Sequence, residues 1–231
     1  MLRRKITDQL LAWKNTPGRK PLIIKGCRQC GKTFLYWNLP ERITNTQCTQ
    51  LFRSGLCSVF SGSLEIDNIV MMLSASWQGC RFEPGQTILI LDEIQDCPEA
   101  RTALKFFRID GRYDVIGTGS LLGVKGYGKE PRSVPVGSET VLEMYPLDFE
   151  EFLWANDITE PVIALLQRSL DAGSPVPEAL HNRMRQLLLQ YTVVGGMPDA
   201  VQTFVTSRQM DEVLRIQRDI VRSYEDDMVK Y

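Results

Sequence analysis

The sequence predicts an α/β fold in which a parallel sheet is followed by an all-helical region. Short apolar runs alternate with amphipathic, helix-length segments over residues 1–145, and this pattern is typical of strand–helix–strand units with parallel strands. After Pro146 the apolar residues recur at helical spacing only. We therefore expect two domains, residues 1–145 and residues 146–231.

The composition is that of a globular protein with a real core, since 43% of the 231 residues are hydrophobic and 24% are charged. The net charge of −1 gives no general electrostatic support for binding nucleic acid or a membrane surface. No apolar run reaches the roughly 18–20 residues of a membrane helix, and the charged N-terminus lacks the apolar segment of a signal peptide. We therefore expect a cytoplasmic protein. The single histidine, His181, argues against triad and multi-histidine metal chemistry.

The first domain is predicted to begin with a helix over residues 4–15, where Ile6, Leu10 and Trp13 recur at helical spacing. The apolar run at 21–25 then predicts a buried strand. The elements predicted after it are a helix from Lys32 to Pro40, a strand within 43–62, a helix over 66–77, strands at 87–91, 113–117 and 141–145, and a helix beginning near Pro98. The glycine-rich stretch 118–138 predicts a long loop.

The second domain is predicted to be helical. Gly173-Ser174-Pro175 and Gly195-Gly196-Met197-Pro198 interrupt its periodic segments, because glycine and proline end helices. The predicted helices span roughly 148–155, 161–171, 178–191 and 209–230.

A phosphate-binding loop is indicated by residues 26–33, GCRQCGKT, which match G-x-x-x-x-G-K-[ST] between a predicted strand and a predicted helix. Backbone N–H groups of such a loop cradle phosphate oxygens, and the helix N-terminus adds partial positive charge. We expect Lys32 to reach the β- and γ-phosphates and to act in catalysis, and Thr33 to place its hydroxyl on Mg²⁺. The predicted nucleotide-binding residues here are Gly26, Cys27, Arg28, Gln29, Cys30, Gly31, Lys32, Thr33 and Phe34.

The C-x-x-C formed by Cys27 and Cys30 lies inside this loop. A zinc or thioredoxin-like interpretation needs a second cysteine pair or a different context, and the other four cysteines form no second C-x-x-C. We expect both residues to occupy unconstrained loop positions. Their oxidation, which would block nucleotide binding, remains a secondary hypothesis.

Two carboxylates follow the apolar strand at 88–91. Asp92 is placed to hold Mg²⁺ at the carboxyl edge of the sheet, and Glu93 is placed to polarise the attacking water. The alternative is an acidic cap on the following helix. After the next strand, Thr118 or Ser120 is placed to hydrogen-bond the γ-phosphate or that water, and ordinary turn chemistry is the alternative.

An arginine finger, a side chain that would stabilise charge on the transferred phosphate, is not identifiable. Arg28 and Arg132 are candidates. Arg215, Arg218 and Arg222 share one side of the last predicted helix, where a solvated helix face is the simpler interpretation.

Several segments together resemble the prokaryotic AAA-type ATPases that pair an N-terminal P-loop domain with a C-terminal domain of unknown function. The segments are KPLIIKGCRQCGKT, LILDEIQDCPEARTALKFF, YDVIGTGSLLGV, VPVGSETVLEMYPLDFEEFL, YTVVGGMPDA and RIQRDIVRSYEDDMVKY. The resemblance implies a P-loop NTPase parallel sheet of the additional-strand-glutamate type, followed by helices and by a further domain absent from this chain. Residues 43–62 depart from the acidic-tipped second strand that the family tends to show.

These observations predict a Mg²⁺-dependent ATPase that works as a conformational switch, with ATP and Mg²⁺ as cofactors. GTP is less well supported, because the chain lacks an Asn/Thr-Lys-x-Asp motif. The alternative is a nucleotide-gated binding module with little or no hydrolysis, acting on an unidentified protein partner or further domain. A DNA-associated or toxin–antitoxin-like partner has no support from the charge.

Overall fold

The computed structural model describes residues 2–37, 49–52, 57–76, 81–120 and 137–229. The predicted helix end at Pro40, most of the predicted loop at 118–138 and Arg132 lie outside these ranges. The chain divides into two compact units, which are Ile6–Met144 and a second unit made of Met1–Lys5 with Tyr145–Tyr231.

The first unit is built on one sheet. Its strands are β1 (Leu22–Gly26), β2 (Thr49–Phe52), β3 (Ile88–Leu91), β4 (Asp114–Gly119) and β5 (Thr140–Met144). In the described part of the chain their order is β2-β3-β4-β1-β5, and every neighbouring pair is parallel. Strand β4 thus lies between β1 and β3, as the additional-strand-glutamate type requires, and the predicted fold class is confirmed.

Strand β3, which lies between β2 and β4, is buried on both faces of the sheet. In β3, Ile88 and Ile90 pack into one cluster and Leu89 and Leu91 into the other, because successive side chains of a strand point to opposite faces. All four are buried. This is why β3 appears in the sequence as an unbroken apolar run rather than an alternating one.

Helices cover these two faces. They are α1 (Ile6–Lys14), α2 (Lys32–Trp37), α3 (Cys57–Phe60), α4 (Ile66–Ser76) and α5 (Pro98–Asp110), with a 3₁₀ turn at Ile94–Asp96. Helix α5 begins with a proline at its first turn, where a missing N–H costs nothing. It ends where the N–H of Gly111, at φ 70°, donates to the Phe107 carbonyl.

The second unit is helical. Its helices are α6 (Phe149–Ala155), α7 (Glu160–Asp171), α8 (Glu178–Val194), α9 (Pro198–Ser207) and α10 (Met210–Val229). Helix α9 was not predicted, because the Gly-Gly-Met-Pro segment was interpreted only as a break. Pro198 in fact starts the next helix, since a proline fits the first helical turn.

The first residues of the chain are held against the start of α6. A capping box closes the N-terminus of α6, in which the Asp148 carboxylate accepts from the Glu151 N–H and the Glu151 carboxylate accepts from the Asp148 N–H. Glu151 Oε1 also accepts from the Lys5 N–H at 2.7 Å and lies 3.2 Å from Arg4 Nε. The negative charge of the buried Glu151 is therefore compensated by Arg4 and by the backbone N–H groups of Lys5 and Asp148.

Candidate nucleotide-binding site

The loop between β1 and α2 uses glycine where no side chain fits. A Cβ on Gly26 would lie 2.2 Å from the Met144 carbonyl oxygen, since the two residues are register partners in β1 and β5. Gly31 has φ 96°, a conformation that strongly favours glycine. The Gly31 carbonyl then accepts from the Leu35 N–H at 3.0 Å, which starts α2.

Lys32 is buried inside this loop, with 6% of its surface exposed. Its ammonium donates to the carbonyl oxygens of Gly26 at 2.9 Å and Cys27 at 2.8 Å. Both acceptors are neutral, and among the described residues no carboxylate forms an ion pair with Lys32. A buried cation that contacts only neutral dipoles has no opposite charge to compensate it, so it can attract an anionic ligand strongly.

The other predicted loop residues divide into packed and exposed groups. Cys30 is fully buried in the core beside β1, and Cys27 packs against the same cluster. Gln29, Thr33 and Phe34 are exposed. Gln29 has φ 60°, a left-handed conformation that is strained for a residue other than glycine.

Asp92 and Thr118 meet at the carboxyl edge of the sheet. Leu91 pairs with Gly117 in the β3–β4 register, so the residues that follow them are neighbours. The Thr118 hydroxyl donates to Asp92 Oδ1 at 2.5 Å, and Thr118 is fully buried. Thr118 therefore contacts the predicted metal ligand, whereas the sequence suggested a contact with phosphate or water.

Glu93 and Ser120 are also brought together. Glu93 Oε2 accepts from the Ser120 N–H and from the Ser120 hydroxyl, both at 3.2 Å. The same oxygen accepts from the Gln95 side-chain amide at 2.5 Å. Gln95 was not predicted as a site residue, because its contact depends on the left-handed backbone of Glu93 rather than on a recognisable motif.

Asp96 adds a further acidic group that the sequence interpretation missed. Burial raises the pKa of the Asp96 carboxyl, and the nearby Glu93 charge raises it further, while Arg28 of the loop opposes both. Arg28 and Asp96 therefore interact electrostatically between the loop and the turn after β3. The spacing D-E-x-x-D is the only sequence signal that could have drawn attention to Asp96.

The chemistry of the predicted metal ligands fits Mg²⁺. Asp92 offers carboxylate oxygens and Thr33 a hydroxyl, both hard oxygen donors. Within the described residues no group of three or more histidine, cysteine or acidic side chains is arranged to bind a metal by itself. Mg²⁺ in proteins generally takes few protein ligands and completes its shell with phosphate oxygens and water.

Comparisons with known proteins give the following matches. A family model described as "AAA domain" matches residues 18–153. No curated protein matches the chain. A solved structure that is similar is "Structure of C. elegans PCH-2", with 9% sequence identity, coverage of 96% of this chain and 69% of that chain, and a TM-score of 0.45. A search of the described residues found no helix with both the length and the apolar character needed to span a membrane.

Proposed function

The chain belongs to the AAA domain family, and we propose that it binds ATP with Mg²⁺ and hydrolyses it as a conformational switch. The observation that carries this proposal is the buried Lys32 ammonium, whose two acceptors are neutral carbonyls of the loop that begins at Gly26. A polyphosphate is the anionic ligand that the surrounding loop type accepts.

Binding would exchange the contacts of Lys32. The ammonium would leave the Gly26 and Cys27 carbonyls and bind the β- and γ-phosphates. Loop N–H groups and the start of α2 would donate hydrogen bonds to the remaining phosphate oxygens and stabilise their negative charge. Asp92 and Thr33 would hold Mg²⁺, which neutralises charge on the transferred phosphoryl group. Thr118 orients the Asp92 carboxylate for that role through its hydrogen bond.

Glu93 is the proposed general base. It follows Asp92 directly, so it lies at the same carboxyl edge as the loop. A carboxylate there can accept a proton from the water that attacks the γ-phosphate. Its repulsion of phosphate favours contact with water rather than with the nucleotide itself.

The test compares phosphate release by wild type and by Glu93→Gln, with ATP affinity measured by calorimetry with and without Mg²⁺. We expect Glu93→Gln to bind ATP as wild type does and to release phosphate on the order of 10²- to 10⁴-fold more slowly, since the amide cannot accept the proton. Glu99→Gln, at the exposed start of α5, is the matched control and should keep the full rate.

The result also decides between the two functions that the sequence left open. Equal background rates in wild type and Glu93→Gln, together with Mg²⁺-dependent ATP binding, would establish a nucleotide-gated binding module instead. Absence of any ATP affinity in wild type would overturn both.

A further inference from the structure

Glu93 has an unusual backbone that the structure around it must support. Its φ and ψ are 49° and 51°, in the left-handed region that non-glycine residues seldom adopt. The Glu93 carbonyl accepts from the Asp96 N–H at 2.9 Å, and the Ile94 carbonyl accepts from the Cys97 N–H at 3.1 Å. These bonds fix a 3₁₀ turn directly after the predicted base, whose left-handed backbone is strained.

This turn places the Gln95 side chain beside the Glu93 carboxylate. Three donors converge on Oε2 of Glu93, namely Gln95 Nε2 at 2.5 Å and the N–H and hydroxyl of Ser120 at 3.2 Å each. In the part of the chain that the structure describes, Oε1 of Glu93 accepts no hydrogen bond. The carboxylate is thus anchored through Oε2, and within the described residues the lone pairs of Oε1 are available to accept a proton or a hydrogen bond.

Stability alone does not explain a glutamine at position 95. The Gln95 Oε1 atom is buried and accepts no hydrogen bond from the described residues. A buried carbonyl oxygen without a donor destabilises the fold by an amount comparable to the stabilisation from the Nε2 bond. An apolar side chain of similar size would avoid this cost, so the amide's contact with Glu93 is the more informative feature.

We propose that Gln95 is a positioning residue that holds the Glu93 carboxylate through Oε2, so that Oε1 faces the attacking water. This inference rests on the proposed function and adds to it a residue outside the recognisable motifs. Ser120, at the end of β4, supports the same oxygen from the neighbouring strand. The chemical step is unchanged: water loses a proton to Glu93, and its oxygen attacks the γ-phosphorus.

The experiment is a double-mutant cycle between Gln95→Leu and Glu93→Gln, read by steady-state phosphate release over a range of Mg-ATP concentrations and by the single-turnover rate. We expect Gln95→Leu to lower kcat about 10- to 100-fold, the range that misplacement of a reacting group produces. The KM for ATP and the ATP affinity should stay within about twofold, since a lost transition-state contact changes kcat alone. The melting temperature should equal or exceed that of wild type, because an unsatisfied buried oxygen is removed.

The cycle separates positioning from a general structural effect. If Gln95 acts through Glu93, Gln95→Leu should have almost no further effect on the rate once residue 93 is glutamine, since contacting residues are non-additive. Equal slowing in both backgrounds, or an unchanged kcat in Gln95→Leu, would overturn the inference. Gln95→Met, which keeps the side-chain length without the amide, repeats the test if the leucine variant does not fold.

A matched control exists in the second unit. Gln167 donates its amide to Asp171 at 2.8 Å on an exposed face of α7, and Gln167→Leu should leave kcat unchanged. The proposed function is tested separately, by the difference between wild type and Glu93→Gln. If these two hydrolyse ATP at the same rate, the proposed function fails, and the inference about Gln95 fails with it.

Discussion

The two units of the molecule keep their buried polar groups in different ways. In the helical unit, the buried Glu151 carboxylate accepts from two backbone N–H groups and pairs with Arg4. In the sheet unit, the buried Lys32 ammonium donates to two neutral carbonyls, and the buried Thr118 hydroxyl donates to Asp92. Within the part of the chain that the structure describes, the Glu151 charge is compensated by an opposite charge and the Lys32 charge is not.

Under the proposed function, this difference separates a charge that stabilises the fold from one that binds a ligand. A compensated pair such as Glu151 with Arg4 is costly to break and has little attraction left for a ligand. A cation held by dipoles is less well compensated and can transfer to an anion at small cost. The predictions below test this contrast, from the largest expected effect to the smallest.

Lys32→Ala gives the largest effect. We expect the affinity for ATP to fall on the order of 10³-fold, because the variant loses the buried loop ammonium and charged hydrogen bonds to phosphate are strong. The free energy of unfolding without nucleotide should not decrease. Calorimetry with ATP and thermal melting measure the two quantities, and Lys105→Ala, on the exposed side of α5, is the control.

Glu151→Ala should show the opposite pattern. We expect a loss of about 3–5 kcal/mol in the free energy of unfolding, because the variant leaves the largely buried Arg4 without its carboxylate and removes half of a capping box. ATP affinity should be unchanged. Glu150→Ala, whose pair with Lys5 is well exposed, should cost less than about 1 kcal/mol. Equal losses in the two variants, by urea denaturation, would contradict the contrast.

Thr118→Val tests the smaller contact at the site. The valine retains the shape but not the donor, so we expect a loss of about 1–2 kcal/mol in stability. The Mg²⁺ concentration needed for half-maximal phosphate release should rise several-fold, since the Asp92 carboxylate loses its orienting partner. Thr206→Val, which removes an exposed hydroxyl bonded to the Gln202 carbonyl, should leave both quantities unchanged.

The dependence of folding stability on pH in the acidic range should show the smallest effect. Burial acts to raise the pKa of Asp148, but hydrogen bonds from Lys5 and from the Glu151 N–H outweigh it, and the pKa lies below its ordinary value. The contribution of this carboxylate to folding stability is therefore fully present above its pKa in the unfolded chain, which is about 4. It is lost as the pH falls through the lower pKa of the folded protein. The stability difference between wild type and Asp148→Asn should be constant above about pH 5 and shrink below pH 4. A stability difference between the two proteins that grows as the pH falls would contradict the predicted direction of this effect.

Strands that appear as bounded apolar runs could be predicted from the sequence. Strands β1, β3, β4 and β5 lie within two residues of their predicted bounds, because each run stands between turn-forming residues. Strand β2 could only be placed within 43–62, and the structure has it at Thr49–Phe52. Its position is set by parallel pairing with β3, a contact between distant residues that no local pattern encodes.

The residues of the candidate site that could be predicted from the sequence are those in a linear motif or directly after a strand. Lys32 followed from the loop motif, and Asp92 and Glu93 followed from the end of β3. The bond between Thr118 and Asp92 depends on the register of β3 against β4, and the bond between Gln95 and Glu93 depends on a left-handed residue. Neither condition can be recognised from residue types alone.

The position of the Lys32 ammonium also determines which anions the loop can distinguish. A monovalent anion would attract the ammonium less strongly than a polyphosphate does, because Coulomb attraction scales with the charge of the ligand. A polyphosphate carries several negative charges on adjacent oxygens and can displace both dipoles together. If the loop binds nucleotide as proposed, its own carbonyl groups would favour multiply charged ligands before any contact with base or sugar contributes.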